Sequence, residues 1–157
     1  RMTPERLAPL LAAARAAAQQ AYCPYSHFRV GAVLLGRDGR LFTGCNIENA
    51  SYGLSLCAER VALQGAVAAG CRRLTAMAIV ASGEEAPMPC GACRQVLAEF
   101  CGPDFEVLVA SSGALGAARS FRLGTLLPHA FKFAEGSPIA AATPSAGVRK
   151  RGRGSNR

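Results

Sequence analysis

The stretch Leu56-Cys57-Ala58-Glu59-Arg60, read with its distant partner Pro89-Cys90-Gly91-Ala92-Cys93-Arg94-Gln95, decides how the rest of the chain is organised. It offers three thiols: one stands a single residue away from a glutamate, and two form a C-x-x-C pair. Catalytic zinc commonly takes three protein ligands and keeps one position open, whereas structural zinc takes all four from protein. Cys90 and Cys93 are three apart, so a helical first turn after Pro89 puts both sulfurs on one side. Cys57 opens an apolar, alanine-rich run and is expected at the start of a second helix. Unpaired N–H groups and the positive dipole end at such starts favour the thiolate that a metal requires. The sequence therefore predicts two helix starts pinching one Zn2+ through Cys57, Cys90 and Cys93.

Glu59 stands two residues after Cys57. Helical residues two apart point to different sides, so Cys57 and Glu59 converge only if Cys57 lies in the irregular cap. Glu59 then faces the water position more easily than the metal and is expected to act as proton shuttle. Three thiolates on a divalent cation leave the centre negative, and Arg60 is placed to offset this by donating to thiolate sulfur. The alternatives are a structural zinc knuckle and a redox C-x-x-C, neither of which needs the C-A-E element.

Working outward, 157 residues suit one domain, and a chain of that size buries roughly two thirds of its unfolded surface. Half of the residues are hydrophobic and none is tryptophan. No run of about 18 apolar residues appears, which argues against a membrane span, and no basic-then-apolar leader opens the chain. Seven cysteines cannot all pair internally. With three assigned to metal, Cys23, Cys45, Cys71 and Cys101 read as small buried hydrophobes, a usage that fits a reducing cytoplasm.

A helix is expected from Pro4 to Ala21 with Thr3 as its cap. The aromatic, proline-bearing stretch Tyr22 to Phe28 does not continue it. Phe28 to Leu35 reads as a buried strand, Asp38-Gly39 as a tight turn and Leu41 to Cys45 as the hairpin partner. A polar loop, Asn46-Ile47-Glu48-Asn49-Ala50-Ser51-Tyr52-Gly53, leads into Cys57; such loops often only satisfy turns, but a carboxylate and an amide here are also what a sugar's hydroxyls need. The helix from Cys57 should stop at Gly70. Leu74 to Ala81 is a continuous apolar run, typical of a strand covered on both faces. A second metal helix should reach about Cys101, followed by strands at Phe105 to Ala110 and Ser120 to Leu123. The expected fold class is α/β: a three-layer α/β/α sandwich on a mixed sheet of about five strands, with the metal where helices start at strand ends.

Residues 1–135 are expected to form this domain and 136–157 a basic, disordered tail of Ala, Pro, Ser and Gly. Of the 18 basic and 10 acidic residues behind the net charge of +8, five basic and no acidic ones fall between Gly136 and Arg157. Most of the excess is thus in the tail. A basic tail can attract nucleic acid, but it does not make the domain a nucleic-acid enzyme.

The metal elements match the zinc-dependent nucleobase deaminase signature of Cys-x-Glu followed by P-C-x-x-C. Together with Pro24-Tyr25-Ser26, Phe28, Val30-Gly31-Ala32, Gly44-Cys45, the loop from Asn46 to Gly53 and Leu126-Leu127-Pro128, they make the chain from about residue 4 to 133 resemble the small homotetrameric cytidine deaminases. That resemblance implies hydrolytic deamination of cytidine and 2'-deoxycytidine in pyrimidine salvage, one Zn2+ per subunit, a nucleoside substrate and a cytoplasmic homotetramer. It also implies site roles. Cys57, Cys90 and Cys93 would be zinc ligands and Glu59 the proton shuttle; Asn46 and Glu48 would bind ribose, Phe28 would pack on the base, and the Ala58 backbone would contact the pyrimidine. Arg60 would donate to the thiolates, Tyr52 would reach a neighbouring subunit's site, and Phe131 would close an adjacent pocket. The chain departs from the family after Phe131, where Lys132-Phe133-Ala134-Glu135 replaces a Gly-Pro-acidic stretch. A polynucleotide deaminase would need a basic or aromatic groove for flanking nucleotides. A deaminase of a nucleoside antibiotic of the blasticidin S type shares the metal motif, but the N-x-E-N-A-S-Y-G loop argues against it.

Overall fold

The apolar run Leu74–Ala81 is the central strand of the sheet, and its alternation explains the layers. In this computed structural model, which describes residues 3–133, strand β1 is Val30–Gly36, β2 Leu41–Cys45, β3 Leu74–Ala81, β4 Glu106–Ser111 and β5 Arg119–Arg122. They form one sheet in the order β2-β1-β3-β4-β5. Only β3 and β4 run parallel, joined by a helical crossover, while the other neighbours are antiparallel. The basic tail expected at 136–157 lies outside the described residues.

Successive side chains of a strand point to opposite faces, and here they divide between two cores. Ala32, Leu34, Met77, Ile79, Val107 and Val109 pack with Ala62, Leu63 and Ala66 of helix α2 (Ala58–Ala68), Leu97 of α3 (Gly91–Phe100) and Leu123 of α4 (Leu123–Leu126). Val33, Ala78, Val80, Leu108 and Ala110 pack with Leu10, Leu11 and Ala14 of α1 (Pro4–Ala18). The result is the expected α/β/α sandwich on a five-stranded mixed sheet. Each fully buried Leu, Ile or Met side chain contributes about 1.5–3 kcal/mol relative to exposure, so both helical layers are held chiefly by this alternation.

The expected stop of α2 at Gly70 is present. Gly70 takes φ 78, a left-handed conformation that costs glycine little. Its N–H donates to Val67 O, and the Cys71 N–H donates to Ala66 O, the double closure of a Schellman cap.

Several boundaries differ from expectation. Helix α1 ends at Ala18 rather than Ala21, because the chain must turn to join the loop: Tyr22 N donates to Asn46 O, and Glu48 N donates to Tyr22 O. Thr3 occupies the cap position without a side-chain capping bond; its carbonyl oxygen accepts from Arg6 N and Leu7 N. β1 starts at Val30 rather than Phe28, since Phe28 and Val30 are bonded to the Asn46 side chain. β4 runs to Ser111, whose hydroxyl donates to Gly83 O, and α4 begins where the last strand was expected to end. Among the four cysteines read as core, Cys23 and Cys71 are buried while Cys45 and Cys101 are partly so; all are free thiols. Among the described residues no helix is long and apolar enough to cross a membrane.

Candidate active site

Cys57 is the N-cap of α2, with extended φ −73 and ψ 151, and Cys90 is the N-cap of α3. Cys93 lies in the first turn of α3. The approach to Cys57 is fixed by a two-bond bridge, Ile47 N to Leu56 O at 3.0 Å and Leu56 N to Ile47 O at 2.9 Å, which ties the polar loop to the residue before the cysteine. The caps thereby meet. Cys57 Sγ lies 3.8 Å from Cys90 Sγ, Cys90 Sγ lies 3.5 Å from Cys93 Sγ, and all three sulfurs lie within 4.8 Å of one another.

These separations test the fit to zinc. Thiolates about 2.3 Å from a tetrahedral zinc stand about 3.8 Å apart, so two of the three separations are close to the edge of such a tetrahedron and the third is within 4.8 Å, with one corner left over. The electrostatics point the same way. A hydrogen bond with the Cys93 thiol, aided by Arg60 and Cys90, holds Cys57 down at about 5. The same contact with Cys57, together with burial, pushes Cys93 up. Arg60 Nη2 lies 3.8 Å from Cys57 Sγ and 3.1 Å from Ser55 O. Its Nε is buried with no hydrogen-bond partner, leaving a donor for negative charge in the cluster. The three cysteines could therefore hold the ion, with Arg60 beside them.

Glu59 follows the Cys57 cap in the first turn of α2 and is only 6% exposed. Burial pushes its carboxyl above the ordinary range, and the charge of Cys57 adds to that rise. A buried carboxyl with elevated proton affinity beside a metal cluster is suited to accept and return protons. Ala58, between Cys57 and Glu59, is fully buried.

Of the remaining expected residues, Phe28, Asn46, Glu48 and Tyr52 fall into one region built on the 22–30 segment, whereas Phe131 is bonded to helix α3. Asn46 Nδ2 donates to Phe28 O at 2.8 Å, and Asn46 Oδ1 accepts from Val30 N at 2.9 Å. Glu48 accepts from Tyr25 N at 3.0 Å, Ser26 N at 3.2 Å and the Ser26 hydroxyl. Between these anchors His27 takes φ 56, an uncommon conformation for a residue with a Cβ, and the Phe28 ring is left 41% exposed. The ring lies over the loop after β3, where a Cβ on Gly83 would stand 3.5 Å from it. Tyr52 is exposed and meets Tyr25 edge-on at 5.7 Å. Phe131 is exposed beyond α4, with its backbone bonded to the Gln95 side chain.

Sequence reasoning did not find four of these partners: Ser26, which anchors Glu48; Gly83, under Phe28; and Arg94 and Gln95, which reach the segment after α4. Ser26 is 22 positions from Glu48 and Gln95 is 36 from Phe131. No local pattern reports such pairings, although Arg94 and Gln95 directly follow the C-x-x-C pair.

A mixed α/β/α sheet whose helix caps gather three thiols beside a buried carboxyl defines a class, the zinc-centred hydrolytic deaminases. Residues 4–109 match the family model described as the cytidine and deoxycytidylate deaminase zinc-binding region. The chain is 47% identical over 122 residues to the cytidine deaminase of Sporosarcina psychrophila, covering 78% of this chain and 88% of that one. It is 50% identical over 115 residues to the cytidine deaminase of Mycobacterium tuberculosis, covering 73% and 81%. The crystal structure of cytidine deaminase from Burkholderia pseudomallei superposes with a TM-score of 0.75 at 48% identity, over 83% of this chain and 100% of that one. The chain belongs to the cytidine and deoxycytidylate deaminase family.

Proposed function

We propose that the chain hydrolyses cytidine and 2'-deoxycytidine to uridine and 2'-deoxyuridine with release of ammonia, as part of pyrimidine salvage in the cytoplasm. The observation that carries this reading is the buried Glu59 beside three sulfurs at zinc spacing. Relatives named as cytidine deaminases at 47% and 50% identity support the choice of substrate.

In this reading Cys57, Cys90 and Cys93 hold zinc, and Arg60 donates to their sulfurs. Bound zinc supplies one thing, the acidification of a water so that hydroxide is available near neutral pH. Glu59 takes the proton released and delivers it to N3 of the pyrimidine, which makes C4 electrophilic as hydroxide adds there. Glu59 then moves the second proton from the new hydroxyl to the amino group. The C4–N bond breaks, ammonia leaves, and the product keeps its proton on N3.

Substrate placement falls to the 22–58 region. Asn46 has one N–H and one lone pair beyond its two backbone bonds, and Glu48 has one carboxylate lone pair, on Oε1, beyond the three bonds it accepts; together they take the sugar hydroxyls. Phe28 packs on the base and the Ala58 backbone contacts the pyrimidine. Tyr52 and Phe131, exposed on this chain, reach the sites of neighbouring copies in a homotetramer.

The test is the loss of ultraviolet absorbance when zinc-loaded protein meets cytidine, 2'-deoxycytidine or single-stranded DNA, with a chelator-treated control. Zinc-dependent loss with both nucleosides and none with DNA is the expected result. No turnover of either nucleoside by folded, zinc-loaded protein would overturn the proposal.

A further inference from the structure

Helix α3 does more than carry Cys90 and Cys93. Arg94 Nε donates to Pro89 O at 2.7 Å, and its Nη1 donates to Leu126 O at 2.9 Å. Gln95 Nε2 donates to Phe131 O at 3.0 Å, while Phe131 N donates to Gln95 Oε1 at 3.1 Å. The two residues after the C-x-x-C thus grip both ends of the segment from Leu126 to Phe131. That segment leaves α4 at Leu126 and has no helix or strand of its own afterwards. Past Leu127, whose N–H still donates to Leu123 O at 2.8 Å, the segment's peptide groups have no helix or strand ladder to join and turn to side chains or solvent.

The grip is on the backbone and not on the ring. Phe131 is 67% exposed, and its ring meets that of Phe133, itself 53% exposed, edge-on at 5.5 Å. An aromatic pair pinned at its peptide and bare at its rings is built to project. A primary amide can donate and accept at once and so bond both the C=O and the N–H of one residue; glutamine therefore suits this clamp, where a carboxylate would place an acceptor against the Phe131 carbonyl.

We propose that Gln95 is a positioning residue for the reaction: by clamping the Phe131 peptide it aims the Phe131 ring at the nucleoside pocket of a neighbouring copy. The clamp issues from the helix that carries two of the zinc-site cysteines, so metal centre and projecting ring share one rigid frame. This inference rests on the reading of Phe131 as a residue that acts in trans.

The test uses the full, zinc-loaded chain as wild type, Gln95→Ala, Gln95→Glu, Phe131→Ala and the Gln95→Ala/Phe131→Ala double variant, with zinc per chain, assembly size, and kcat and KM for cytidine measured on each. Loss of two net hydrogen bonds should raise KM on the order of tenfold in Gln95→Ala, with kcat nearly kept and zinc and assembly unchanged. Gln95→Glu, which keeps length and one acceptor, should rise in the same direction and stands in if the alanine chain fails to fold. Phe131→Ala should raise KM at least as far, and adding Gln95→Ala to it should change nothing more. Additive effects, or loss of zinc or assembly in the Gln95 variants, would make the residue merely structural and overturn the proposal. An unchanged KM in Gln95→Ala beside a raised one in Phe131→Ala would overturn the clamp alone, whereas an unchanged KM in Phe131→Ala would remove the trans role on which it rests.

Discussion

Gly44 lies so close beneath Ala58 that a Cβ at position 44 would stand 2.4 Å from the Ala58 carbonyl oxygen and 2.4 Å from Ala62 N. The edge strand β2 therefore sets the height of α2, and with it the position of Cys57 and Glu59. Only a residue without a side chain permits that approach. Gly44→Ala should push the helix start outward, costing about 1–3 kcal/mol as overpacking does and lowering zinc content together with stability. Denaturant melts and metal analysis check this; a Gly44→Ala protein as stable and as zinc-replete as wild type would contradict it.

Glu59→Gln should keep zinc while abolishing turnover, a loss of about 10²–10⁴-fold or more for a proton carrier used twice. Because burial already pushes the Glu59 carboxyl toward its neutral form, the neutral amide should be at least as stable as wild type. Steady-state rates and zinc content measured on the same sample decide the matter, and substantial retained activity would remove Glu59 from the role.

Acid should loosen the substrate loop through Glu48. The Ser26 hydroxyl first, and then the Tyr25 and Ser26 amides, hold its carboxyl below the ordinary value of 4.5. A carboxyl with a depressed folded-state pKa contributes its stability above the unfolded value and loses it as pH falls through the folded one. Wild type should therefore lose this contribution progressively below about 4.5, and Ser26→Ala should raise the Glu48 midpoint. Carboxyl-carbon NMR titration measures both midpoints; identical curves for the two proteins would sink the assignment.

Metal removal should destabilise the chain and expose its thiols selectively. Zinc at one hundred times its Kd adds about 2.7 kcal/mol, so a chelator should lower the melting temperature and zinc should restore it. At mildly alkaline pH, alkylation of the chelated protein should reach Cys90, which is exposed, before Cys101, whose thiol burial pushes up to about 12. Peptide mapping that found Cys101 labelled first would contradict the burial argument.

The sheet and the metal site differ in how far the sequence reveals them. Leu74–Ala81 is readable to the residue, because its stretch from Ala76 to Ala81, buried on both faces, needs an unbroken apolar run. Cys57 at a cap is also readable, since no regular helical position lets it meet Glu59. Sheet order is less so: nothing local says that β1 lies antiparallel beside β3 while β3 runs parallel to β4. The polar wiring is the least legible part. Asn46 and Glu48 stand out as a polar pair before the metal helix, but their grip on Phe28, Val30 and Ser26 comes from chain crossing and not from spacing. The start of β1 is displaced for that same reason.

The central claim is a zinc ion held by three thiolates with one position left for water, and zinc-edge X-ray absorption on the purified protein tests it most directly. The account predicts three sulfur scatterers at about 2.3 Å and one lighter atom at about 2.0–2.2 Å, with the sulfur number falling in Cys57→Ala. Four sulfurs, or a sulfur shell unchanged by Cys57→Ala, would contradict it.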